Sequence, residues 1–170
     1  MRKFEFANDA FHDMYWRIVR DGVYFAGTKA LFNVGFEIQK PYHNSINDMK
    51  VKRNWSQEYA EAEWQWYLSG DPNIAKLGEL YGKVPAIWKR MADADGNVNS
   101  KEINRYENDT PCTYAVQFTV LDNKLNMSVV MRSNDLWYGF CNDQYQFSNL
   151  QLLVAYETGY DVGTYYHFAH

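Results

Sequence analysis

Cysteine is scarce in this chain, with two among 170 residues, and no signal peptide is recognisable at its start. A secreted disulfide framework is therefore not expected, and a reduced cytoplasmic setting is. No hydrophobic run is long enough to span a bilayer, so no membrane partner is expected. Positive charge is in deficit: the formal net charge is −4, which leaves no electrostatic footprint for duplex nucleic acid. The densest basic stretch, Lys50-Val51-Lys52-Arg53, reads as a solvated loop. Proline numbers four and glycine ten, and no repeat, low-complexity tract or Pro/Gly linker divides the chain. His12, His43, His167 and His170 show no metal-ligand spacing with the cysteines, so no metal is expected.

What is abundant is apolar and aromatic surface, 46% and 18% of the residues. That is too much for disorder and enough, at this length, for one soluble domain spanning 1–170 with a real core. Two stretches, Thr113–Val120 and Leu125–Met131, alternate residue by residue around a polar break at Asp122-Asn123, and this pattern predicts a β-hairpin with a tight turn. With those two residues as the loop, Leu121 pairs with Lys124. Counting back along the ladder then sets Thr113 opposite Arg132 and Cys112 opposite Ser133. A thiol, a guanidinium and a hydroxyl thus share the open end of the hairpin. A thiol beside a guanidinium has a lowered pKa and more thiolate, as a nucleophile requires. The competing reading is that Cys112 is a small buried hydrophobe.

The remaining elements follow from periodicity and caps. An amphipathic helix is predicted over about Asn8–Arg20, and a strand near Ala30–Ile38 stopped by Pro41. Ser56 is placed to cap a helix running through Leu68. Asp71-Pro72 opens a further short helix, and Trp88 lies on another before the Asp95-Gly96 turn. A helix over Gln144–Thr158 ends at Gly159, and an aromatic strand starts at Val162. Helices interleaved with a mixed or antiparallel sheet give an α+β fold. Glu63 stands mid-helix among Trp64, Trp66 and Tyr67. It is either solvated, which the pattern alone favours, or it points into an aromatic-lined site where desolvation raises its pKa.

The stretch Pro111-Cys112-Thr113 through Arg132-Ser133-Asn134-Asp135-Leu136-Trp137-Tyr138-Gly139-Phe140-Cys141-Asn142-Asp143 resembles the active-site block of the thymidylate synthase family, closest to its phage deoxycytidylate hydroxymethylase branch. Glu63-Trp64-Gln65-Trp66-Tyr67-Leu68, Gly70-Asp71-Pro72-Asn73-Ile74-Ala75, Ile87-Trp88 and Gly27-Thr28 match that family in order and spacing. The resemblance implies a three-layer α+β fold with a mixed, largely antiparallel sheet flanked by helices. It also implies a homodimer that takes dCMP or dUMP with 5,10-methylenetetrahydrofolate as cosubstrate. By the same resemblance, Cys112 is the nucleophile that adds to pyrimidine C6. Arg132 and Ser133 hold the nucleotide 5′-phosphate, and Glu63 handles protons through water. Asp135, Gly139 and Trp88 lie near the folate, with Asp135 also on the substrate side.

Asp143 matches the base-reading position, where thymidylate synthases have asparagine and the cytosine-directed branch has aspartate. A carboxylate suits the cytosine 4-amino group, whereas against uracil O4 it sets acceptor against acceptor, at a cost on the order of 1–3 kcal/mol. Asn142 is adjacent, but Arg132-Ser133-Asn134-Asp135 and Gly139 fix the count at Asp143. Departures from the family pattern qualify this. Only eleven residues separate Ser100 from Cys112, where the family has a long insert with a pair of arginines. Lys101 and Arg105 are the cations there. The family's His-x-Tyr motif for the sugar would fall beyond His170, so neither His167 nor His170 is given that role. Arg20 and Lys29 are weak substitutes for the missing arginine of the N-terminal phosphate loop. The expectation is a dCMP hydroxymethylase represented without its internal segment and C-terminal part, a naturally shortened homologue being the other explanation. A thymidylate synthase acting on dUMP and a catalytically silent nucleotide-binding homologue are the alternatives.

Overall fold

The computed structural model describes residues 1–47, 50–98 and 112–170, and the short connection carrying Lys101 and Arg105 lies outside them. The chain divides into two compact units, Met1–Trp55 with Cys112–His170, and Ser56–Pro111.

The first unit is built on a five-stranded sheet in the order β1-β4-β7-β6-β5. Its strands are β1 (Arg2–Phe4), β4 (Val34–Ile38), β5 (Thr113–Leu121), β6 (Lys124–Met131) and β7 (Asp161–Ala169), while β2 (Val23–Phe25) and β3 (Thr28–Ala30) form a separate hairpin. β1 with β4 and β6 with β7 are parallel, and β4 with β7 and β5 with β6 antiparallel, so the sheet is mixed. The predicted strand over Ala30–Ile38 is broken at Asn33, which takes φ +54°.

Alternation decides which face is dry. Phe36, Ile38, Met127, Val129, Met131 and Tyr165 are buried on one face. Two helices cover it, α1 (Ala7–Asp21) through Ala7, Ala10, Phe11 and Met14, and α5 (Cys141–Thr158). A π-helical turn, Leu136–Phe140, leads directly into α5. Gly163 on β7 is required by a close approach: a Cβ there would stand 2.7 Å from the Asn126 side-chain oxygen and 2.9 Å from the Leu125 carbonyl. That approach lets Asn126 Oδ1 accept the Thr164 N–H at 2.9 Å, beside an irregularity in β6 between Leu125 and Met127.

The second unit is helical. Ser56 caps α2 (Gln57–Ser69), its hydroxyl accepting the Tyr59 N–H at 3.1 Å as its position suggested. The cap of α3 (Ile74–Tyr81) is Asn73 and not Asp71. Asn73 Oδ1 accepts from the Ala75 N–H, while Asp71 accepts from the Asn73 N–H in the preceding turn. With α4 (Ala86–Met91) these helices enclose Ala62, Trp66, Leu77 and Val98. Among the described residues no helix is long and apolar enough to cross a membrane.

Candidate active site

The β5–β6 hairpin closes as its sequence predicts. Asp122 and Asn123 take φ +49° and +60°, the conformation of a two-residue turn that suits strand twist, and Leu121 pairs with Lys124. The ladder then departs from simple counting. Ala115 faces Val130 but Thr113 faces Met131, so Tyr114 is an extra residue bulged out of β5. The Arg132 N–H donates to the Cys112 carbonyl at 2.8 Å. Cys112 therefore stands opposite Arg132, one position from the expected partner Ser133, so that Arg132 is the direct cross-strand neighbour of the nucleophile candidate.

The two cysteines occupy different environments and share no disulfide. Cys141 is fully buried, and burial pushes its thiol up to about 12 against a weaker pull from Arg53, so it stays protonated at neutral pH. Its Sγ lies 3.6 Å from the Leu136 carbonyl oxygen. Cys112 is half-buried at the margin of the same core. Of the two, Cys112 has the access that a nucleophile needs.

Arg132 and Ser133 are exposed just beyond β6. Asp135 is the cap of the π-helical turn. Its Oδ1 accepts the Tyr138 N–H at 2.6 Å, and its carbonyl accepts the Phe140 N–H at 2.7 Å. The loop then folds back onto the first turn of α5, where Asn134 Nδ2 donates to Asp143 Oδ2 at 2.6 Å. Gly139 lies against both partners. Asn142 is engaged elsewhere: its Oδ1 accepts the Trp55 indole N–H at 2.9 Å and its Nδ2 donates to the Tyr138 carbonyl at 3.0 Å. Asp143, not Asn142, is thus the residue bonded to Asn134.

Arg53 does not belong to the solvated basic loop that the charge pattern suggests, but packs on the π-helical turn. Its Nε donates to the Trp137 carbonyl at 2.9 Å, and its guanidinium lies 5.3 Å from the Trp137 ring centre and 5.8 Å from that of Tyr138. It clamps the π-helical turn. Lys29 donates to the Val19 carbonyl at 2.7 Å and Arg20 is paired with Asp21 at 2.7 Å, so both weak phosphate candidates have local partners. His170 joins Tyr114 at 2.8 Å and Asn33 at 3.0 Å, tying the end of β7 to the bulge.

Below this surface, His167 and Tyr165 project from β7 into the core and share a hydrogen bond of 2.9 Å. His167 stacks on Phe36 with ring centres 5.1 Å apart and meets the edge of Phe140 at 5.3 Å. Burial lowers its pKa to about 4, and burial, with a contribution from Asp143, raises that of Tyr165 well above the ordinary phenol value. Both are neutral at pH 7.

In the second unit Glu63 is only 4% exposed, so the solvated reading of this mid-helix carboxylate fails. The Tyr59 hydroxyl donates to Glu63 Oε1 at 2.8 Å, and the Trp88 indole N–H donates to that hydroxyl at 2.7 Å. Burial and the Glu63 charge raise the Tyr59 pKa, keeping the phenol a donor. Trp88 also packs edge-on against Trp66 at 5.0 Å. Among the described residues no group of three or more His, Cys, Asp or Glu could hold a metal.

The architecture is that of a thymidylate synthase: the thermostable thymidylate synthase A of Bacillus subtilis superposes with a TM-score of 0.73 over 95% of this chain and 77% of that one, at 18% identity. Sequence similarity points the same way. Residues 98–170 match the thymidylate synthase family model. The deoxycytidylate 5-hydroxymethyltransferase of Enterobacteria phage T4 is 27% identical over 128 residues, covering 51% of each chain. Thymidylate synthase 1 of Bacillus spizizenii is 41% identical over 56 residues, 33% of this chain and 20% of that one. The chain is similar in sequence to thymidylate synthases and to phage deoxycytidylate hydroxymethyltransferases, and it spans about half the length of the phage proteins it matches.

Proposed function

We propose that this chain is a pyrimidine nucleotide C5 one-carbon transferase that converts dCMP to 5-hydroxymethyl-dCMP with 5,10-methylenetetrahydrofolate. The observation that carries the choice of base is the Asp143 carboxylate held by Asn134 at 2.6 Å. A carboxylate accepts only, which suits the cytosine 4-amino group. Cys112 adds through sulfur to C6 of the base, making C5 nucleophilic toward the methylene carbon of the folate. Loss of the C5 proton and departure of the carrier leave an exocyclic methylene. Water adds to that carbon, and expulsion of the Cys112 thiolate restores the ring, with tetrahydrofolate as the other product. Arg132, opposite Cys112, serves the thiolate and, with Ser133, the 5′-phosphate. Glu63, buried and hydrogen-bonded to Tyr59, is suited to hold and pass a proton. Asp135, Gly139 and Trp88 are assigned to the folate, Asp135 with its second carboxylate oxygen. A homodimer belongs to the same proposal, and the exposed Val116, Phe118 and Val120 give assembly an apolar row on β5.

The second reading, thymidylate synthesis on dUMP, is favoured by the 41% match to a thymidylate synthase. Release of tritium from C5-labelled dCMP and dUMP with methylenetetrahydrofolate separates the readings. Release from dCMP without dihydrofolate formation is expected. Release from dUMP with dihydrofolate gives the second reading, and nucleotide binding without release from either gives a silent homologue.

A further inference from the structure

We propose that Asn134 is a specificity-positioning residue: its side-chain amide holds the Asp143 carboxylate in one orientation, and that orientation decides which pyrimidine is accepted. This rests on the reading of Asp143 as the group that meets the base. Asn134 leaves β6 in the loop before the π-helical turn, and Asp143 sits nine residues later on the first turn of α5, with Nδ2 and Oδ2 2.6 Å apart. Because an ionised carboxylate offers no donor, the Asn134 amide must present its NH2 to it. Fixing one carboxylate oxygen fixes the plane of the group and so the direction of the other.

Two features hold this clasp closed. A Cβ at Gly139 would stand 3.0 Å from Asn134 Nδ2 and 3.2 Å from Asp143 Oδ2, so a side chain there would crowd both partners. One helical turn before Asp143, Phe140 is buried with its ring on the edge of His167, which anchors this start of α5 to the sheet. The clasp also has a directional consequence. With asparagine at 143, the Asn134 NH2 would take the carboxamide oxygen and turn the carboxamide NH2 toward the base, where it suits uracil O4. Without Asn134, that carboxamide can rotate to present either end. Asn134 therefore enforces the polarity of whatever stands at 143.

The test is equilibrium binding of dCMP, dUMP and 2′-deoxyribose 5-phosphate to the full chain by calorimetry, for the wild type, Asn134→Ala, Asn134→Asp, Asp143→Asn and the Asn134→Ala/Asp143→Asn pair, each checked for folding by thermal melting. Asn134→Ala should lower the dCMP to dUMP preference by about tenfold with the sugar phosphate unaffected, a charge-assisted hydrogen bond being the interaction lost. Asn134→Asp, of equal size, should lower it further. Asp143→Asn should reverse the preference, and adding Asn134→Ala should erode the reversed preference. A wild type that prefers dCMP while both Asn134 variants keep the same ratio would overturn the positioning role alone, as would a parallel loss of all three ligands. A wild type that binds the sugar phosphate but does not distinguish the bases would overturn the base-reading role of Asp143, and this inference with it.

Discussion

Replacing His167 by phenylalanine should remove much of the acid sensitivity of the fold. The imidazole is 3% exposed, stacked on Phe36 and edge-on to Phe140, surroundings that a phenyl ring fits. Its pKa falls from 6.5 to about 4 on burial. A lowered folded-state pKa means that the unfolded chain takes up the proton first. The contribution to stability is whole above pH 6.5, drains as pH falls toward 4, and is gone below that. The separation of about 2.5 units corresponds to a ceiling of about 3 kcal/mol, of which about 2–3 kcal/mol is lost by pH 4.5. The phenylalanine variant has no such term but deprives the Tyr165 hydroxyl of its partner, at a cost of about 1–3 kcal/mol at every pH. Urea melts by circular dichroism at half-unit steps from pH 7.5 to 4.5 should show the wild type more stable at neutral pH, with the gap shrinking by about 2–3 kcal/mol toward pH 4.5. A gap that stays constant to within about 0.5 kcal/mol would refute the buried, neutral imidazole.

The other expectations concern the hairpin and the two cysteines, with one in the helical unit. Cys112→Ala should abolish C5 tritium release while leaving dCMP binding measurable by calorimetry, and undiminished release would sink the covalent mechanism. Cys141→Ala should retain release, because that thiol is held protonated, and should show its effect as about 1–2 kcal/mol in a urea melt. Asn123→Val forces a β-branched residue to φ +60° and should cost about 1–2 kcal/mol, whereas Asn123→Gly should be neutral or stabilising in the same melt. Tyr59→Phe removes the hydroxyl between Trp88 and Glu63 and should lower the melting temperature; an unchanged value would mean that the bond network contributes nothing net.

Much of the scaffold is legible because its signals are local. Asp122-Asn123 between alternating strands, Ser56 before a helix and Gly159 after one each state a backbone conformation that the structure adopts. Non-local signals fail for physical reasons. Glu63 could not be oriented from the pattern because apolar side chains surround α2 on more than one face, so periodicity does not say which face is dry. The core side of α5 buries Gln144, Ser148 and Gln151, which hydrophobic counting assigns to water. Gln151 shows why they belong inside: its Nε2 donates to the Leu125 carbonyl at 2.8 Å and the Gly163 carbonyl at 3.2 Å, where β6 departs from regular pairing. A side chain that repairs an irregular ladder cannot be foreseen before the irregularity is known. β1, three residues long, carries too few positions for alternation to register.

In the first unit, the residues assigned to chemistry sit next to two places where regular counting breaks. In β5 the extra residue Tyr114 shifts the ladder by one and sets Cys112 against Arg132, a pairing that an unbulged hairpin would give to Thr113. After β6, the π-helical turn adds a residue to the turn that leads into α5, which changes the phase of every side chain that follows relative to a plain α-helix. Asp135 caps that turn, Gly139 lies within it, and Asp143 emerges where Asn134 can reach it. Each irregularity is held from outside. His170 and Asn33 secure Tyr114, while Arg53 clamps Trp137 and Tyr138. The regular sheet and helices supply rigidity, and two single-residue insertions re-aim the thiol and the carboxylate. The contacts of Asn134 and Arg53 are not legible in the sequence for the same reason: they arise only once those insertions have shifted their neighbours.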